Sequence, residues 1–303
     1  MAINEGFQMD QDALEDIIKA GAVTREARQL GVGMIAEGVS LLSVAEETEA
    51  YIRKRGAKPA FPVNISINQV AAHYTPASND KSTFRRGDVV KLDVGAHVNG
   101  YMGDTAITVE VGTRNWASLI DAPSRALSMA IEMMGEGVPV SAIGGTIERG
   151  IRSNGFVPIR NLAGHEIKRN NLHSGLSISN YDDGNTTKVH KDMLLAIEPF
   201  ATDGAGEVDN AKAGNIYILQ RDREIKDAGA NRLFGIIKEK FGSLAFCERW
   251  CTAIDPKAPA HLRTLVRYGA IYAYPILTEA KGGMVSQAEH TILINGSRVQ
   301  VTT

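Results

Sequence analysis

Asp93, in KLDVG, and Asp104, in GDTAITV, flank an Asn99-Gly100 pair within the alternating stretch VVKLDVGAHVNGYMGDTAITVEV. Asn-Gly between alternating apolar residues is the strongest short-range hairpin signal, because both residues accept the positive φ of a two-residue turn. With that pair at the corners, Val98 faces Tyr101 and Asp104 faces Gly95. Asp93 shares the face of Gly95, so the two carboxylates become diagonal neighbours across adjacent strands, ~7 Å or a little less apart. An unpaired carboxylate in so apolar a setting meets a large desolvation penalty. With no Lys or Arg read on that face, a divalent cation is the natural partner, and oxygen ligands in such number suit Mn, Fe, Co or Zn in a paired site. The plainer alternative is a pair of solvated acids on an exposed sheet face.

Other apolar runs supply more ligand types. Glu198 ends MLLAIE just before Pro199, which favours an extended backbone there; Glu289 reads as mid-strand in SQAEHTILI; His165 in AGHEI adds a nitrogen. A histidine beside a glycine is, taken alone, more often a hydrogen-bonded loop residue than a ligand, so their weight comes from occurring together.

These groups need elements to hold them. Helical spacing of Leu14, Ile17, Ile18, Val23, Ala27, Leu30 and Ile35 predicts an amphipathic helix over 10–38. A second should run from the N-cap candidate Ser40 to Gly56. After the hairpin, 118–135 and 139–154 read as another helix pair, with Pro139 at the start of the second and Asn154-Gly155 closing it. Further strands follow, ending in an alternating segment with a turn at Asn295-Gly296. The order of helix pair and then strands therefore occurs twice, a duplication of architecture without a linker, in one domain spanning 1–303. About 220–269 reads as an inserted helical subdomain, with Leu233, Ile236, Ile237 and Phe241 on one face and a modest excess of Lys and Arg that is best read as a solvated surface.

The chain has 303 residues, 44% of them hydrophobic, with a formal net charge of −2. That charge gives no field toward nucleic acid or anionic membrane. The opening MAINEGFQMDQDALEDIIKA lacks the basic and apolar regions of a leader, and no run is long and apolar enough for a membrane helix, so a cytoplasmic location is expected. Cys247 and Cys251 are spaced for one helix face and read as small core residues, since one such pair cannot complete a four-ligand zinc site.

Taken in order, Asp93, Asp104, His165, Glu198 and Glu289 resemble the five-ligand signature of the methionine aminopeptidases. AAHYTP around His73, GH with LHSG around His165 and His173, and AEHTILI resemble the type II members in particular, as does the insertion. The resemblance runs from about residue 10 to the end. It implies the α+β pita-bread fold, two pseudo-symmetric halves around a central antiparallel sheet. Asp93 would chelate one of two divalent ions (Co, Mn, Fe or Zn), His165 and Glu198 the other, while Asp104 and Glu289 bridge them and a bridging hydroxide attacks the first peptide bond. His173 would stabilise the tetrahedral oxyanion or donate to the carbonyl, His73 would contact the substrate near the scissile bond, and Phe61 and Tyr274 would wall a methionine pocket. Some relatives have a His where Asp209 stands, which bears on the pocket rim. The short segment before the first helix resembles the archaeal, minimal form. The implied function is removal of the initiator methionine from the N-termini of nascent polypeptides, with the ribosome as a candidate partner, no membrane or specific nucleic acid, and a monomer. X-Pro aminopeptidases and dipeptidases share the fold and ligands but carry a further N-terminal domain; a non-catalytic pita-bread binding protein is the other rival.

Overall fold

The computed structural model of the chain describes residues 10–303, so the segment MAINEGFQM of the leader reading lies outside the described residues. The first helix, Gln11–Met34, starts where the Asp10 side chain accepts from the Ala13 amide at 2.7 Å. Ser40 caps the second, Leu41–Lys54, through the Ser43 amide, and Gly56 leaves it at φ 75°. Both helices press Ala20, Val23, Ala27, Val44 and Ile52 against Leu92, Val94 and Ala96 of the hairpin. The approach is close enough that a Cβ on Gly103 would meet the Gly21 Cα at 2.8 Å.

The hairpin has the expected register. Val89–Val98 and Tyr101–Glu110 pair from Val98↔Tyr101 down to Val89↔Glu110, with Gly95 opposite Asp104. Asn99 and Gly100 both take positive φ, 51° and 90°, as the tight turn demands. The second helix pair is Ala117–Met133 and Val140–Ser153. It covers a sheet formed by Ser177–Ser179, Ala163–Ile167, Leu194–Ile197, His290–Asn295 and Arg298–Val301. The last turn falls one residue later than expected: Asn295 pairs with Arg298, leaving Gly296 and Ser297 as the loop. Among the described residues all strand pairs are antiparallel, in four hydrogen-bonded sheets.

Two strand breaks matter for the site. Leu194–Ile197 pairs with His290–Asn295, whereas the next stretch, Phe200–Thr202, pairs with Val285–Gln287 in another sheet. The chain changes sheets at Glu198-Pro199 and, on the neighbouring strand, at Ala288-Glu289. Glu289 is therefore not mid-strand; it occupies the gap between two strands.

Between the paired strands Val208–Leu219 and Ile271–Glu279 lie the helices Ala228–Phe241, Glu248–Thr252 and Ala258–Arg267. They enclose their own core around Leu233, Phe234, Ile237, Leu262 and Leu265, while Ile236 is only half-buried. Cys247 and Cys251 are both fully buried and unbridged. Cys247 belongs to a short strand and the helix N-cap rather than to a shared helix face, and burial raises both thiol pKa values. The helices dock on the first half through Arg249, whose guanidinium donates to both Glu49 oxygens at 2.8 and 3.0 Å, and Trp250, whose Nε1 donates to the same carboxylate at 2.6 Å.

Candidate active site

A cavity of about 480 Å³ opens between the two halves, within the usual size for a small-molecule site. Asp93, Asp104, His165, Glu198 and Glu289 all line it, as do His73, His173, Phe61 and Tyr274. The hairpin supplies the two aspartates. His165 stands on its strand opposite Ala196, and the two strand breaks aim Glu198 and Glu289 inward.

Cross-links between the halves fix the floor. Thr291 Oγ1 accepts from the Asp104 amide and donates to the Asp104 carbonyl, both at 2.8 Å. Thr105 Oγ1 donates to the Glu289 carbonyl at 2.7 Å and accepts from Arg28 at 2.6 Å. The Glu289 amide donates to the Ala106 carbonyl. Backbone on either side of both acids is thus held by the opposite half.

The acid side chains themselves are under-satisfied. One oxygen each of Asp93 and Asp104, and Nδ1 of His165, are buried with no hydrogen-bond partner among the described residues. His165 Nε2 faces Asp104 at 3.6 Å and Glu198 at 3.7 Å, too far for hydrogen bonds. Ligand atoms of Asp104, His165 and Glu289 lie within 4.8 Å of one another, near the roughly 4 Å that at most separates two ligands of one cation. Burial pushes the Asp93 carboxyl up to about 7. Asp104, Glu198 and Glu289 rise well above the carboxylate range, through burial first and their neighbours' charges second. Burial lowers His165 to about 3 and His73 to about 4, and lowers His173 too. Four acids that repel one another, Asp104 and Glu289 buried and Asp93 and Glu198 half-buried, beside an uncharged imidazole fit divalent cations by the chemistry of the donor set.

Lys91 corrects one premise of the sequence argument. Two residues before Asp93, it does stand on the same face of the hairpin, fully buried. Its Nζ donates to the carbonyls of Asn68 at 2.6 Å and Val89 at 3.4 Å, so its hydrogen bonds go to backbone and not to the acids, and burial lowers its pKa well below the ordinary lysine value.

The cavity walls are mostly apolar. Phe61 lies where a Cβ on Gly95 would meet its ring at 2.2 Å, so the glycine opposite Asp104 is what lets the ring reach the floor. The Tyr274 ring meets His73 edge-on at 5.2 Å, and His173 sits 4.2 Å from His165. His73 takes φ 66°, unusual for a residue with a side chain. Its Nδ1 lies 3.3 Å from the Pro275 carbonyl. Asp209 is exposed opposite Thr278; from the same strand it is Ile216 and Ile218 that reach the cavity. Sequence reasoning missed these two, along with Leu172, Leu244 and Gln287. Gln287 Nε2 lies 3.5 Å from Glu198 and 3.4 Å from Glu289, and its position two residues before Glu289 was the available signal.

Residues 15–242 match the model of metallopeptidase family M24. The methionine aminopeptidase of Pyrococcus horikoshii is 44% identical over 97% of this chain and 100% of its own length, and that of Methanocaldococcus jannaschii is 44% identical with the same coverage. The chain belongs to the methionine aminopeptidases of family M24. The type II, archaeal-like resemblance read from its motifs agrees with these relatives. Among solved structures, a thermophilic Arx1 superposes with a TM-score of 0.86 over 97% of this chain and 91% of that one, at 15% identity. Methionine aminopeptidase from Thermotoga maritima superposes at 0.71 over 98% of both chains, at 23% identity. Both likenesses speak for the pita-bread fold. No helix among the described residues is long and apolar enough to cross a membrane.

Proposed function

We propose that the chain removes the N-terminal methionine from nascent proteins and peptides, with two divalent cations held by Asp93, Asp104, His165, Glu198 and Glu289. The observation that carries this reading is the buried, mutually unpaired acid and histidine cluster at the floor of a pocket walled by apolar side chains. Bound there, the cations would supply an activated water at neutral pH and polarise the scissile carbonyl.

The other residues have work that follows from their protonation. A carbonyl can only accept, so the contact with Pro275 puts the proton of neutral His73 on Nδ1 and leaves Nε2 as an acceptor. His73 then receives an N–H of the substrate beside the scissile bond. His173, neutral through burial, donates its ring N–H to the carbonyl oxygen as negative charge develops there. Phe61, Tyr274, Ile216 and Leu244 take the unbranched methionine side chain and exclude water around it. The helical stretch between Gln220 and Gly269 acts as an inserted subdomain of the type II kind, closing this pocket with Leu244. The working location is the cytoplasm, where nascent chains are the substrate and the ribosome is the candidate partner.

The test is release of the first residue from Met-Ala-Ser, Leu-Ala-Ser and Ala-Pro-Ala. Release from the methionine peptide with little from the others supports the reading. Cleavage of the proline peptide alone would assign the site to the X-Pro enzymes.

A further inference from the structure

The paired strands Val208–Leu219 and Ile271–Glu279 present two unlike faces. On one, Tyr217, Ile271 and Ala273 are packed into the helical core. On the other, Ile216 and Ile218 alternate along one strand and Tyr272 and Tyr274 along its neighbour, with Ile218 directly opposite Tyr272. This second face forms a stripe that begins inside the cavity and ends outside it. Ile216 is 4% exposed, Ile218 is half-buried, and Tyr272, at 43%, is among the most exposed large apolar residues of the described chain. The rings are in contact along the way: His73 to Tyr274 at 5.2 Å, then Tyr274 to Tyr272 at 5.4 Å, each edge-on.

A substrate gripped by its first residue must send the rest of its chain out of the pocket. Starting from His73 beside the scissile bond, two ring-to-ring steps cover the reach of about three residues of extended peptide. We propose that Tyr272, with Ile218, forms a downstream subsite that takes the side chain of the third or fourth residue of the peptide and favours an apolar or aromatic one. The proposal rests on the reading of the site as a peptide N-terminus pocket. Its chemistry is that of an exposed aromatic: a phenol ring offers an apolar face and an edge for another ring at little conformational cost, and hydrogen bonds at its rim are not required. Tyr272 touches neither the scissile bond nor the acids, so its effect should fall on KM.

The experiment compares methionine release from Met-Ala-Ser-Ser-Ser, Met-Ala-Phe-Ser-Ser and Met-Ala-Ser-Phe-Ser. For the unaltered enzyme, the better of the two phenylalanine peptides should show a KM about 3- to 10-fold below that of the serine peptide, the size expected of one aromatic contact, at similar kcat. Tyr272→Ser should bring that KM ratio close to one, while Tyr272→Phe, which keeps the ring, should preserve it. Taking the ratio within each variant cancels any general loss of activity. A ratio near one in the unaltered enzyme, or one that survives Tyr272→Ser, overturns the subsite and leaves the methionine reading intact. Failure to release methionine from any of the three overturns both.

Discussion

Each acid in the cluster is costly to the metal-free fold, and that cost is measurable. Burial holds the Asp93 proton up to about 7 and raises Asp104, Glu198 and Glu289 well above the carboxylate range, whereas the unfolded chain has released them near pH 4. Folded pKa values above unfolded ones mean that stability is fullest at low pH and is lost as pH rises through the folded values. The buried histidines act in the opposite sense, but only below about pH 6.5, where the unfolded chain takes up their protons. Above that, Lys91, whose pKa burial lowers well below its ordinary value, opposes the acids in stripped and loaded protein alike, so the difference between the two from pH 7 to 8 isolates the acids. There, metal-stripped protein should lose, relative to metal-loaded protein, up to about 2–4 °C of Tm for each acid still protonated at pH 8, and less for Asp93, which has released most of its proton by then. Thermal scans at the two pH values check this. Asp104→Asn and Glu289→Gln should each lower turnover more than about 100-fold and reduce bound metal, read by elemental analysis of the purified variant. His173→Ala should lower kcat about 100-fold with metal content unchanged, and loss of metal in that variant would make His173 a ligand. At this scale the sequence was informative through motifs: Asp93, Asp104, His165, Glu198 and Glu289, with His73 and His173, line one cavity as their resemblance to the family signature implied. Lys91 was misjudged although its face can be counted from the hairpin register; what the sequence could not show is that its hydrogen bonds go to the Asn68 and Val89 carbonyls and not to the acids.

At the scale of elements, turns and periodicity carried most of the information. Asn99-Gly100 fixed the hairpin register, and with it the meeting of Asp93 and Asp104, because a two-residue turn admits one pairing. The start of the second helix followed from Ser40, whose side chain can cap a free amide, whereas the Asp10 cap of the first was not read. The strand breaks at Glu198 and Glu289 were less visible. Pro199 hinted at one, whereas nothing in QAEHT marks the other, since a change of sheet depends on partners far along the chain. The latch between the inserted helices and the first half is equally non-local. Glu49 is 1% exposed and takes hydrogen bonds from Arg249, Trp250 and the Val63 amide. Arg249→Met leaves that carboxylate with Arg53, at 3.5 Å, as its one close cation among the described residues, so the variant should unfold about 1–3 kcal/mol more easily in urea. An unchanged midpoint would mean that the helices are held by their apolar contacts alone.

At the scale of the whole molecule, two similar halves build one site because neither holds all five of the proposed ligands. The hairpin of the first half carries Asp93 and Asp104; the second carries His165, Glu198 and Glu289; Thr105 and Thr291 bind the two together. The duplication was legible as a repeated order of helices and strands, but the pocket between the halves was not. Ile216, Ile218, Leu172 and Leu244 enter it from segments whose apolar residues look like ordinary core. The central claim is that this shared floor works through divalent cations to release methionine. The most direct measurement is methionine release from Met-Ala-Ser by metal-stripped protein, before and after adding back Mn, Co, Fe or Zn. The account predicts negligible release from the stripped protein and recovery with at least one of these ions, saturating at two equivalents or fewer. Full activity without metal, or silence with every metal on a protein that remains folded, would contradict it.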